Sequence, residues 1–239
     1  MELFSKISLA FEHGGLWMWP IAAYQVISIA ILVERSIALY KTRKAGELEF
    51  VACFEDGIRR GEIDRVIGKA QETRDQHPVA RAVLVGAQAA AHFGGKDEIQ
   101  GKMDEVLLRE NSLLDRRIGF LAMLGNVATL TGLLGTITGM IKSFAAVAYA
   151  NPADKAALLA SGISEAMNAT AYGLIVAIPA LLAYAVLQNR ANSLSEDLNQ
   201  AALKAFNWLS FAYDPVALRA TTTHARASGS TDKTRDLNA

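Results

Sequence analysis

The stretch "GISEAMNATAYGLIVAIPALLAYAVL", Gly162–Leu187, decides the fold. It is apolar enough and long enough to cross a bilayer, which takes about 20 such residues. Yet its first turns carry Glu165, Asn168 and Thr170. An ionised carboxylate in hydrocarbon costs at least a few kcal/mol, so such groups usually face a partner or an aqueous path. The stretch predicts a membrane helix with one side turned away from lipid.

Two further runs share this character: Leu16–Val33 and Ile118–Val147. About half of the 239 residues are apolar, and they cluster in these runs. Pro20 falls in the first turns of its run, where a missing N–H costs little. Pro179 lies inside the third, where membrane helices tolerate a kink. The first run does not read as a convincing signal peptide, because its basic residues follow it and no small-x-small cleavage site precedes them.

Orientation follows from basic residues near the span ends. Lys41, Arg43, Lys44, Arg109, Arg116 and Arg117 lie between spans one and two, and Arg190 and Lys204 follow span three. The loop between spans two and three has only Lys155, beside Asp154. The expected order is therefore an external amphipathic segment (1–15), transmembrane helix one (16–40), a cytoplasmic helical domain (41–117) and transmembrane helix two (118–147). A short periplasmic loop (148–161), transmembrane helix three (162–188), a cytoplasmic helix (189–214) and a disordered tail (215–239) follow. Trp17 and Trp19 belong at the outer interface. The fold class is an all-α membrane protein: three transmembrane helices, two of them extended into a cytoplasmic helical bundle.

In the polar segments, Leu48, Val51, Ala52 and Ile58 recur at helical spacing, and Pro78 opens an Ala-rich helix. Ile99, Met103, Val106, Leu107, Leu113 and Leu114 share a broad face with no breaker before span two. That predicts one continuous helix rising into the membrane. Leu194, Leu198 and Ala201–Ala202 line one side of the last helix.

The 24 basic and 24 acidic residues balance, which gives no bulk attraction to nucleic acid. Cys53 is the sole cysteine and reads as a small packed residue. The four histidines show no ligand spacing. The glycines of "GLLGTITGMIKS" lack the lysine-hydroxyl ending of a phosphate loop. Nothing in the chain reads as an enzyme or a metal site.

In span two, Asn126, Thr129, Gly132, Thr136, Met140 and Ser143 form one stripe, and Gly135, Thr138 and Lys142 a roughly opposite one. Glycines allow close helix approach, and hydroxyls bond across helices or to their own backbone. Packing and an ion path are both open for these threonines. Two readings are also open for Glu165: an interfacial N-terminal cap after Ser161, or a group facing a pathway. Glu165, Asn168 and Tyr172 share a face, and Thr170 points away from it. Thr136 and Thr170 fall about 5 Å apart in depth.

"GLLGTITGM" (Gly132–Met140) followed by "GISEAMNATAYGLIVAIPA" (Gly162–Ala180) resembles the MotA/TolQ/ExbB proton-channel family, and the three-span layout its TolQ/ExbB branch. The resemblance implies a homopentamer around a dimer of a single-span ExbD/TolR-type partner, whose intramembrane Asp accepts and releases the ion. It also implies a bacterial inner-membrane protein, N-terminus periplasmic and C-terminus cytoplasmic, that drives an envelope-spanning effector. By motif position, Thr136, Glu165 and Thr170 match the family's polar residues. Asn168, Thr129, Thr138 and Tyr172 complete the expected ion pathway, and Gly132, Gly135, Gly139 and Gly173 the expected helix packing. Thr138 stands where the family favours bulk, and Asn168 and Tyr172 where it favours aliphatics. Such oxygen-rich lining suits sodium as well as protons; the proton is the default, and no cofactor is expected. The rival readings are a self-contained oligomeric channel and a non-conducting scaffold.

Overall fold

The computed structural model describes residues 15–42, 46–92 and 95–213. All secondary structure among them is helical: α1 (Met18–Ser36, continuing as π-helical turns over Ile37–Thr42), α2 (Glu47–Phe50), α3 (Ala52–Arg59), α4 (Ile63–Thr73), α5 (Pro78–Ala91), α6 (Lys96–Asp115), α7 (Ile118–Tyr149) and α8 (Lys155–Tyr213). The expected external segment lies outside the described residues except for Gly15, and the expected tail lies wholly outside them.

The chain divides into two compact units. Residues up to 43 and 115–191 form the membrane unit, with α1, α7 and the first part of α8. Its three helices are long and apolar enough to cross a bilayer. Large apolar side chains such as Leu130, Ile141, Met167 and Leu182 point outward, each more than 60% exposed. Inside, Ile21, Ala128, Val176 and Ala177 cluster with Tyr24 and Tyr172, and Met18, Ile118, Leu121 and Leu187 are buried too, yet much of the bulky aliphatic surface faces out. That is the reverse of a soluble helix bundle, and it suits helices whose surroundings are as apolar as their cores.

Two helix limits differ from the sequence reading. The helix expected to run unbroken into span two stops at Asp115 and restarts at Ile118. Arg117 takes a left-handed φ of 63°, a conformation a side chain with a Cβ rarely adopts. Contacts within the unit hold that turn. The Arg117 guanidinium donates to both Glu34 oxygens at 2.8 and 3.0 Å, and the Gln188 amide donates to Asp115 at 3.0 Å. The second difference is the start of α8 at Lys155, seven residues ahead of the expected Gly162. Asn151–Asp154 make the connecting turn, with Asp154 N–H donating to the Asn151 carbonyl.

The second unit takes residues 44–114 and 192 onward. α5 is its axis, with Val79, Ala80, Ala82, Val83, Ala87 and Ala90 buried nearly all round the helix. Phe54, Ile58, Ile99, Met103, Leu198 and Leu209 enclose it. Each large side chain so buried contributes roughly 1.5–3 kcal/mol. Pro78 supplies the preset first turn of α5, and Gly61 closes α3 at a φ of 76°. Of the expected core face, Val51 and Ile58 are buried and Leu48 packs at the edge, but Ala52 is exposed and Phe54 fills the space instead. Leu113 is likewise 38% exposed while Leu114 turns inward.

This unit buries Glu47 and Glu110 and half-buries Asp197, each with partners. Asp197, on α8, accepts backbone N–H bonds from Gly46, Glu47 and Leu48 at 2.7, 2.9 and 3.1 Å, and so caps α2 from a distant part of the chain. Glu110 meets Arg81 at 2.8 Å. Glu47 accepts the Val79 N–H at 3.0 Å and sits 3.2 Å from His77, whose ring stacks on Phe50. Burial pushes the Glu47 carboxyl above its usual range, although the Val79 and His77 contacts pull it back down.

Candidate ion-pathway site

The site is assembled where α7 and α8 run antiparallel within the membrane unit. Small residues set its spacing. Gly125, Ala128, Gly132, Gly135, Gly139 and Ser143 are all buried on α7. Opposite them lie Ala177, Gly173, Ala169, Ala166 and Gly162 of α8. A methyl placed on Gly173 would lie 2.7 Å from the Ala128 carbonyl oxygen, and one on Gly132 3.1 Å from the Ala169 carbonyl oxygen. The backbones touch, so only glycine fits there.

This seam joins residues that a helical projection separates. Gly132 and Gly135, assigned to opposite stripes, both face α8, and a methyl on Gly135 would meet the Ala169 Cβ at 2.6 Å. Gly139 packs on Ala166. Asn126, Thr129 and Met140, expected beside Gly132, are exposed instead.

The threonine hydroxyls divide by partner. Thr136 donates to the Leu133 carbonyl at 2.6 Å and Thr129 to the Gly125 carbonyl at 3.1 Å, both within α7. Thr170 reaches across the seam and donates to the Gly132 carbonyl at 2.8 Å. That bond places Thr170 level with Gly132, about 6 Å along the axis from Thr136. Each hydroxyl spends its proton on the backbone and keeps lone pairs as an acceptor. Thr138 uses one of them: the Trp17 indole N–H donates to it at 2.8 Å, tying the start of α1 to α7.

Glu165, Asn168 and Tyr172 are all half-buried on α8. Glu165 is no cap of its own helix: it lies ten residues beyond Lys155, nearly three turns inside α8. Its carboxylate instead abuts Gly15, just ahead of the first turn of α1, so closely that a methyl on Gly15 would collide with it. Gly15 has a φ of 69°, and its carbonyl accepts the Met18 N–H at 3.3 Å. The positive end of α1's dipole therefore lies beside the Glu165 charge. Tyr172 donates its hydroxyl proton to the Gln25 side-chain oxygen of α1.

Three of these participants, Gly15, Trp17 and Gln25, were not read from sequence as site residues. Gln25 carried a signal, an amide in mid-run among aliphatics. Gly15 and Trp17 carried none, since their roles come from tertiary pairing with Glu165 and Thr138. Among the described residues no group of acidic, histidine or cysteine side chains is arranged to hold a metal. The arrangement offers one carboxylate, one amide, one phenol and several hydroxyl oxygens along two helices, a set that can solvate a small cation or pass a proton.

Comparison with known proteins points the same way. Residues 74–200 match the model of the MotA/TolQ/ExbB proton channel family. The Tol-Pal system protein TolQ of Pseudomonas aeruginosa is 41% identical over 204 residues, covering 82% of this chain and 86% of that protein. TolQ of Haemophilus influenzae is 30% identical over 215 residues, 82% and 87% of the two chains. A putative biopolymer transport protein ExbB homolog of Methanothermobacter thermautotrophicus is 26% identical over 213 residues, 87% and 72%. With three apolar helices built on a glycine seam and this match across more than half its length, the chain belongs to the MotA/TolQ/ExbB proton channel family.

Proposed function

We propose that the protein is the channel-forming subunit of an inner-membrane motor driven by an ion gradient. One observation carries the reading furthest: Glu165, an ionisable group within a membrane helix, is turned against α1 and away from full lipid exposure. Five copies enclose the spans of two copies of an ExbD/TolR-type partner, whose membrane Asp carries the ion. Glu165, Asn168, Tyr172, Thr136, Thr170, Thr138 and Thr129 supply the oxygen atoms around it. The N-terminus lies outside and the C-terminus in the cytoplasm, as the basic residues around Lys41 and Arg116–Arg117 favour. The ion is the proton, with sodium as the alternative, and its passage drives work on the periplasm or outer membrane. Family membership and the TolQ names of two relatives support this reading.

The test is ion flux through the co-purified complex in proteoliposomes, under separate proton and sodium gradients. Glu165→Gln keeps the side chain's shape and hydrogen bonding but removes its charge. Thr136→Val and Thr170→Val remove hydroxyls. The expected result is an intact assembly with flux lowered at least about tenfold in Glu165→Gln, the effect of roughly 1.4 kcal/mol on a barrier, and less in the threonine variants. Full flux in all three variants would refute the pathway. Flux without any partner chain would favour a self-contained channel.

A further inference from the structure

A cavity of about 120 Å³ opens in the membrane unit among α1, α7 and α8. Most of its wall is aliphatic, from Ile29, Leu32, Leu121, Val176 and Ala180. Three features of the wall are not.

Ser28 is only 6% exposed, lines the cavity, and its hydroxyl makes no hydrogen bond. A serine in a membrane helix ordinarily donates to the carbonyl one turn back, as Thr129, Thr131 and Ser143 do here. Pro179 lines the same cavity with Ile175. Having no N–H, it cannot donate to the Ile175 carbonyl four residues earlier, so that carbonyl loses its helical partner. Gln25 adds an amide whose oxygen is taken by Tyr172 and whose nitrogen still has hydrogens to give. The residues that carry a donor-acceptor hydroxyl, an acceptor carbonyl and a donor amide therefore line one space, and in hydrocarbon each such group is costly to leave unmatched.

We propose that this cavity is an intramembrane water site: a small cluster of water molecules held by the Ser28 hydroxyl, the Gln25 amide and the Ile175 carbonyl that Pro179 leaves free. The volume suits this occupant, since one water needs only about 10–15 Å³ of such space. A lipid tail fits the aliphatic wall but satisfies none of the three polar groups. The water cluster also gives the Gln25–Tyr172 pair a hydrated neighbour and the Ile175 carbonyl a partner in place of the N–H that Pro179 lacks. The site stands on its own lining and does not depend on which residues conduct the ion.

Water-edited solid-state NMR of the full-length protein, assembled with its partner in bilayers, tests the site by reading hydration and not flux. Magnetisation from water should build up several-fold faster at Ser28, Gln25 and Ile175 than at Val26 and Ile27, which face outward on the same stretch of α1. Ser28→Ala should slow the transfer at Gln25 and Ile175 about twofold, and Ser28→Thr, which keeps the hydroxyl, should restore it. Build-up at Ser28 as slow as at Val26 overturns the proposal. So does strong transfer from lipid acyl protons to the buried Ser28. Unchanged transfer at Ile175 in Ser28→Ala removes Ser28 from the site and overturns it as stated.

Discussion

The two units of this chain are both helical, yet they are held together by opposite means. In the membrane unit the closest contacts are backbone to backbone through glycine and alanine, and many of the bulky aliphatics face out. In the second unit the bulky side chains face in, around α5. Polar groups differ in the same way. The membrane unit gives most of its hydroxyl protons to carbonyls on the same helix, while the second unit buries Glu47 and Glu110 and engages Asp197 with partners distant in sequence. Where the surroundings are apolar, burying a methyl group gains little and close fit has to supply the stability. Where they are aqueous, apolar burial drives folding, and a few buried charges can be carried if each is bonded.

The widest test of this contrast adds one methyl group to each unit. Gly173→Ala puts a Cβ 2.7 Å from the Ala128 carbonyl oxygen, part of a backbone that cannot step aside. Gly86→Ala puts one 2.7 Å from the Met103 sulfur, the far part of a flexible side chain. The expected losses are about 3 kcal/mol for Gly173→Ala and about 1 kcal/mol for Gly86→Ala, from overpacking against rigid and yielding neighbours. Thermal unfolding of the purified protein, read by loss of monodisperse species, gives the order. Equal losses would mean that the seam is as plastic as the core around α5.

A second pair of variants compares the polar contacts. Asp197→Ala strips three backbone N–H groups of their acceptor and should cost about 2 kcal/mol, the upper range for a lost cap. Thr138→Val removes the acceptor of the Trp17 indole, a bond worth about 0.6 kcal/mol by the average for membrane helices. Hydrogen exchange at Glu47 and Leu48 reads the first, and Trp17 fluorescence the second. Faster exchange confined to α2 is the expected pattern.

The smallest effect is a slope in pH. Glu47 has its folded pKa raised above the unfolded value of 4.5, so the folded state holds its proton more tightly. Its contribution is full below 4.5 and is lost as pH rises through the raised value. His77 and Asp197 are the ionisable groups acting on it, the first against the shift and the second with it. Glu47→Gln should remove this slope, so wild type should lose stability relative to the variant as pH rises above 4.5. Parallel stability curves would mean that the carboxylate is effectively solvated.

The spans were legible because membrane helices declare themselves by uninterrupted apolar length, and Glu165 stood out because its cost in lipid is large. The face carrying Leu194 and Leu198 was legible because one buried side of a soluble helix repeats regularly. The break at Arg116–Arg117 was not, since no glycine or proline marks it. It depends on Glu34 and on Gln188 meeting Asp115, residues far away in sequence. The start of α8 was missed because Ser161–Gly162 looked like a boundary, whereas Gly162 is there to let Ser143 approach. Gly135 falls off the Gly132 stripe in a helical projection, yet both face α8 as the packing reading expects, because two touching helices bury a strip wider than a single line of residues. Tyr172 was named but its partner Gln25 was not, since no local pattern encodes a bond between residues 147 apart.

The Arg117–Glu34 clasp bears on how the chain enters the membrane. Its partners are 83 residues apart, so it cannot form until α1 is in place and the α7 segment has been synthesised. Until Glu34 is reached, Arg117 is a charge without this partner. Once the helices meet, that charge is neutralised and the same guanidinium becomes the fastening of a turn whose backbone is otherwise unfavourable. The rivet between α6 and α7 is thus set only when two distant parts of the chain have met.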